Sequence, residues 1–125
     1  MALPVVHWQA LVRDPERAAS FYAAAFGWDV DDANALGYRT VGGAERGIGG
    51  GLWPLSDGQP MVQLFVEVPD VEAALSAAST NGARVIIPRQ VLPDGDEMAV
   101  IADPEGISWG IVRARADVRP RASPA

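Results

Sequence analysis

His7 is the only histidine in the 125-residue chain, and it sits in the β-like run VVHWQALV (5–12). A lone imidazole in such a run admits three chemistries: a metal ligand, a general acid or base working near neutral pH, or a polar group making one hydrogen bond. The remaining residue types narrow the field. There is no cysteine, which removes disulfides, thiolate nucleophiles and thiolate metal sites and fits a reducing compartment. All ten basic residues are arginine, so no lysine amine is available for Schiff-base chemistry or a phosphate loop of the Gly-Lys-Ser/Thr type. The glycine run GIGGGL (47–52) has neither that lysine nor a helix expected after it. No spacing of serine, aspartate and histidine suggests a nucleophilic triad.

Those residues must be held by a scaffold, and the chain writes one unit twice. With an offset of 56, VVHWQALVRDPERAAS lies over MVQLFVEVPDVEAALS: Val6 meets Val62, His7 meets Gln63, Asp14 meets Asp70 and Ser20 meets Ser76. Further on, Gly47, Ile48 and Gly51 meet Gly106, Ile107 and Gly110. Two modules follow, about 4–56 and 60–113, joined through Ser56-Asp57-Gly58 within a single domain, 1–113. Each opens with a β run; Asp14 and Asp70 then stand at N-cap positions, with Pro15 suited to a first helical turn. The helical spacing puts Ala18, Phe21, Tyr22 and Ala25 on one face, and Val71, Ala74, Leu75 and Ala78 on another. Gly27 and Gly82 are expected to end these helices. Shorter β runs follow at 28–31, 37–42 and 47–54, then at 83–87, 97–102 and 107–113. The expected class is α+β, with the order β-α-β-β-β occurring twice.

The formal net charge of −6 argues against a nucleic-acid partner, whose phosphates require a basic face. No apolar run approaches the roughly 18 residues of a membrane span, and no basic segment leads into an apolar one at the N-terminus. A soluble, cytoplasmic protein is expected. Residues 114–125, arginine- and proline-rich without periodicity, are expected to be disordered.

The repeat and its motifs resemble the vicinal oxygen chelate superfamily, which includes glyoxalase I, bleomycin-resistance proteins and extradiol dioxygenases. The residues that carry the likeness are His7 followed by Asp14-Pro15-Glu16-Arg17, then Phe21-Tyr22, Phe26-Gly27-Trp28 and the closing Ala102-Asp103-Pro104-Glu105-Gly106. The resemblance covers about 4–113. It implies that each module curls a sheet and that the two form a half-open, barrel-like cleft. It further implies that metal-dependent members take one ligand from the first and one from the last strand of each module, His or Gln at the first and Glu at the last.

In this chain those four places are His7, Gln63, Gly51 and Gly110. Two neutral donors leave a divalent ion without charge compensation, so no metal is expected, unless an acid such as Glu67 completes the set. Strand alternation puts His7, Gln9 and Leu11 on the cleft face of the first strand, with Val6, Trp8, Ala10 and Val12 packing beneath the helix. In the second module Gln63, Phe65 and Glu67 face the cleft while Val62, Leu64, Val66 and Val68 pack. On the last strands Gly49, Gly51 and Trp53 share a cleft face, as do Ser108, Gly110 and Val112.

The candidate ligand-binding set is therefore His7, Gln9, Gly51, Trp53, Gln63, Phe65, Ser108 and Gly110, a mix of apolar walls and a few directed polar groups. The glycines either open room for a flat ligand or simply allow strand twist. Trp53 either stacks on a ligand or serves as core or dimer contact. The leading expectation is a cofactor-free protein that binds a small organic molecule, for sequestration, resistance or specialised metabolism, as a homodimer. The alternatives are a metal-dependent lyase or dioxygenase and a metal-free isomerase with His7 as its catalytic group.

Overall fold

A computed structural model describes residues 2–113; the tail 114–125 lies outside the described residues. The chain runs β1 (Val5–Val12), α1 (Pro15–Phe26), β2 (Arg39–Val41), β3 (Gly50–Pro54), β4 (Met61–Glu67), α2 (Val71–Thr80), β5 (Arg84–Val91), β6 (Glu97–Ala102) and β7 (Ser108–Arg113). Helices and mixed parallel and antiparallel pairings make it α+β. Two compact units are present: Val6–Gln63, and Leu64 onward together with the segment up to Val5. The run 28–31 does not form a strand; it contributes one bridge, Val30 to Val41.

In the first unit β3 pairs in parallel with β1, Ala10 opposite Leu52, and antiparallel with β2, Val41 opposite Gly50. The order is β2-β3-β1. Helix α1 starts where Asp14 accepts the Arg17 N–H at 3.1 Å and stops at Gly27, whose φ of 71° is a left-handed conformation that glycine adopts without cost. Ala10, Val41 and Leu52 are buried, and Trp8, Val12, Ala18, Ala19, Tyr22 and Trp28 pack around them. A fully buried leucine such as Leu52 contributes roughly 1.5–3 kcal/mol. The packing stripe of α1 is therefore Ala18, Ala19 and Tyr22. Phe21, expected on that stripe, is 57% exposed, and Ala25 is exposed as well. The stripe is rotated toward Ala19 because Tyr22 turns inward onto Trp28, with ring centroids 5.3 Å apart.

In the second unit the order is β4-β7-β6-β5, with β4 parallel to β7 and the other pairs antiparallel. Asp70 caps α2 by accepting the Ala73 N–H at 3.1 Å. The helix closes at Asn81, and Gly82 with φ 100° turns the chain one residue later than a glycine cap would. Val68, Val71, Leu75, Ala99 and Ile111 form the core, joined by Val66, Ala74 and Ile101. Val62 and Leu64, expected to pack with Val66 and Val68, are instead 60% and 38% exposed. Helix α2 lies over β5, β6 and β7, so only the C-terminal half of β4 reaches its apolar face. Strand β5, last in its order, is exposed throughout and carries Pro88 and two register shifts, features that blunt a sheet edge against further pairing.

Candidate functional site

Because Trp8, Ala10 and Val12 lie toward α1 in the first unit, strand alternation places His7, Gln9 and Leu11 on the helix-free face. Gln9 is the register partner of Gly51, and Gly51 is in turn opposite Thr40 on β2. Trp53 shares that face two residues on. Four of the expected ligand-binding residues, His7, Gln9, Gly51 and Trp53, thus meet on one sheet face of one unit. A fifth residue, Tyr38, completes the group. Its hydroxyl lies 2.9 Å from His7 Nε2, and its ring centroid is 5.7 Å from that of Trp53 at an interplanar angle of 50°.

Tyr38 also decides what Gly51 does. A Cβ added at Gly51 would fall within the phenol ring and hydroxyl of Tyr38. The room that the missing side chain leaves is real, but the chain fills it with its own aromatic ring. Gly50 is filled in the same way from the other face, by the Trp8 indole, and a Cβ at Gly49 would press on the Val41 carbonyl. These glycines admit the protein's own rings and backbone, and so do not hold open space. Burial pushes the Tyr38 hydroxyl up to about 12 from an ordinary 10.0, so it is a neutral phenol at physiological pH.

The second unit repeats the device with different chemistry. Phe65 is buried and stands in register with Gly110, and a Cβ at Gly110 would fall inside its ring. Gln63, the last residue of the first unit, is buried at 7% exposure and by alternation along β4 points to the same side as Phe65 and Glu67. Ser108 opens β7 on the face of Gly110, opposite Ala102.

The motif Ala102 to Gly106 forms a built turn. Asp103 accepts the N–H groups of Glu105 and Ile107, each at 2.9 Å, and the Trp109 indole N–H at 3.1 Å. Above all the Ile107 N–H, and then the Trp109 indole, hold its carboxyl below the usual range. On the helix side of this unit a cavity of about 380 Å³ is lined by Pro69, Asp70, Glu72, Arg89, Glu97 and Arg113. Glu97 sits at 2.9 Å from both Arg89 and Arg113. With both guanidiniums paired and two further carboxylates beside them, its charges are compensated from within.

The positions that the resemblance gives to metal ligands carry no carboxylate in either unit. His7 Nε2 faces the Tyr38 hydroxyl, and the two positions where the resemblance calls for carboxylates are glycines covered by rings. Among the described residues no three His, Asp or Glu side chains gather to hold an ion. Sequence reasoning missed Tyr38. The strand expected over 37–42 contained it, but its reach to Gly51 depends on the register of β2 against β3, which the glycine-rich connection 42–49 conceals.

Among the described residues no helix is long and apolar enough to cross a membrane. The Glyoxalase-like domain family matches residues 6–112. Among curated proteins, "Putative glyoxylase CFP32" of Mycobacterium bovis (strain ATCC BAA-935 / AF2122/97) is 25% identical over 120 residues, 81% of this chain. The protein of the same name from Mycobacterium tuberculosis (strain CDC 1551 / Oshkosh) matches equally. The chain spans 42% of the length of these relatives. Among solved structures, a Streptomyces coelicolor methylmalonyl-CoA epimerase variant in complex with 2-nitronate-propionyl-CoA superposes with a TM-score of 0.67 at 17% identity, covering 92% of this chain and 97% of that one. The hypothetical protein BH1468 from Bacillus halodurans C-125 gives 0.69 at 13% identity, covering 99% and 100%. At these identities the likeness is one of fold.

Proposed function

This chain belongs to the glyoxalase-like domain family, and we propose that it binds a small organic molecule, without a resident metal, on the helix-free sheet face that carries His7, Gln9, Tyr38 and Trp53. The observation that carries this reading is the Tyr38 ring over Gly51 with its hydroxyl at His7. It engages the lone imidazole and occupies one of the places where a metal-binding carboxylate would stand. What is left on the face is an amide, a hydroxyl, an imidazole and an indole, groups that orient an organic ligand by hydrogen bonds and stacking. The protein's role is then sequestration, resistance or a step of specialised metabolism, in the cytoplasm. Exposed Val62, Leu64 and Ile107 support the pairing of two copies, and the charge of −6 speaks against nucleic acid.

Elemental analysis of the purified protein, before and after exposure to nickel, zinc, iron and manganese, tests the metal side of this reading. Protein that takes up no stoichiometric metal supports it; uptake that disappears in His7→Ala overturns it. A thermal-shift screen of aromatic metabolites and antibiotics, followed by resonance mapping, tests the ligand side.

A second reading, a metal-free isomerase, draws on the same pair. An imidazole hydrogen-bonded to a phenol is a proton couple, and one solved structure of similar fold is named a methylmalonyl-CoA epimerase. In that reading His7 takes the proton from a carbon acid and returns it. His7-dependent deuterium exchange into an acyl thioester such as methylmalonyl-CoA would favour the isomerase over the binder.

A further inference from the structure

Tyr38 is held as a ligand is held. Its ring lies on the bare backbone of Gly51 and is tilted against the Trp53 indole, and its hydroxyl meets His7. Three features make it a displaceable occupant. It stands immediately before β2, the outermost strand of its unit and only three residues long. It follows Gly37, whose φ of 86° closes an exposed turn. That turn is tied by Asn34, whose side-chain oxygen accepts the N–H groups of Leu36 and Tyr38, so the backbone that carries the ring is held from outside the sheet face. The counterpart in the other unit, Phe65 over Gly110, is four per cent exposed and in direct cross-strand register. It has no hydroxyl and no such exit.

We propose that the space above Gly51 is a subsite for a hydroxyaromatic group, and that Tyr38 is its resident stand-in. The incoming phenol lays its ring on Gly51 beside Trp53 and places its hydroxyl on His7, while the Tyr38 side chain swings outward. The subsite selects a ring because the Gly51 backbone comes within contact of the Tyr38 ring and the Trp53 indole lies 5.7 Å from it, centroid to centroid. It selects a hydroxyl because the His7 ring nitrogen that meets the Tyr38 hydroxyl at 2.9 Å offers the same hydrogen bond to an incoming one. The inference rests on the reading that this face binds the ligand and names the chemical class.

The probe is p-cresol, the tyrosine side chain itself, with toluene as the control lacking the hydroxyl. Tyr38→Ala vacates the subsite; full-length variant and wild type are titrated and followed by tryptophan fluorescence and by resonance shifts at Gly51, Trp53 and His7. Folded Tyr38→Ala is expected to bind p-cresol saturably, about tenfold tighter than wild type and about tenfold tighter than toluene. In Tyr38→Ala/His7→Phe the preference for p-cresol over toluene is expected to vanish. Absence of saturable binding, equal affinity for the two probes, or shifts that map elsewhere overturn the proposal. Should Tyr38→Ala not fold, wild type decides the matter: excess p-cresol must shift the His7 ring and Trp53 indole resonances, and unmoved resonances overturn it. If the metabolite screen finds a ligand on this face while p-cresol fails, only the subsite falls. A ligand mapping to another face overturns the functional reading as well.

Discussion

The Tyr38 hydroxyl and His7 Nε2 lie 2.9 Å apart, joining β1 to the residue just before β2 across 31 residues of sequence. The lone histidine is thus a partnered, part-buried group. His7→Phe and Tyr38→Phe, which keep ring volume, are each expected to lower stability by about 1 kcal/mol in urea unfolding. The double variant should lose less than the sum, with a coupling of about 1 kcal/mol. Additive losses would show that the two groups do not interact in solution.

Gly51→Ala and Gly110→Ala each insert a methyl group where a ring already sits. Overpacking of this kind costs roughly 1–3 kcal/mol. Phe65 is enclosed and in register, so Gly110→Ala is expected to be the more damaging of the two. Shortening the ring should relieve the clash: Gly51→Ala/Tyr38→Ala is expected to be more stable than additivity of the single changes predicts. Thermal unfolding of the four proteins checks this, and an additive double variant would show that the methyl group never met the ring.

Alkaline pH should expose Tyr38. Burial raises its pKa from 10.0 to about 12, so between those values the folded chain keeps a proton that the unfolded chain has lost. Stability therefore falls as pH rises through that window, and its contribution is fully present below the ordinary tyrosine value. Tyrosinate absorbance should show a late step that disappears in Tyr38→Phe, together with a shallower alkaline loss of stability. A late step that persists would assign it to another group.

Asp103 should behave in the opposite sense. The Ile107 N–H, and after it the Trp109 indole, holds its carboxyl below the usual range. The stabilisation is present above the ordinary aspartate value and is lost as pH falls through the lowered one. Trp109 fluorescence is expected to change across that acid window in wild type and to lose the transition in Asp103→Asn. Asp103→Ala is expected to loosen the turn before β7 and raise amide exchange at Glu105 and Ile107. Unchanged exchange would mean that the turn closes without its carboxylate.

The repeat with offset 56 carried the element order, because local signals are short-range: Asp14 and Asp70 cap helices through their own backbone neighbourhoods, and alternation sorts Trp8, Ala10 and Val12 from His7 and Gln9. Family membership was legible for the same reason. Phe21, Val62 and Leu64 were misread because periodicity names a face but not how far the neighbouring element extends. Helix α2 stops short of the first half of β4, and α1 is turned by Tyr22 meeting Trp28.

By itself the sequence determined the α+β order, the capped helices and the glycines where metal-binding carboxylates were expected. Only tertiary structure decided what became of those glycines. Whether a bare strand position is empty or filled depends on which ring from which strand reaches it, and that depends on register between segments far apart in the chain. Tyr38 reaches Gly51 and Phe65 covers Gly110 through pairings that no local pattern encodes.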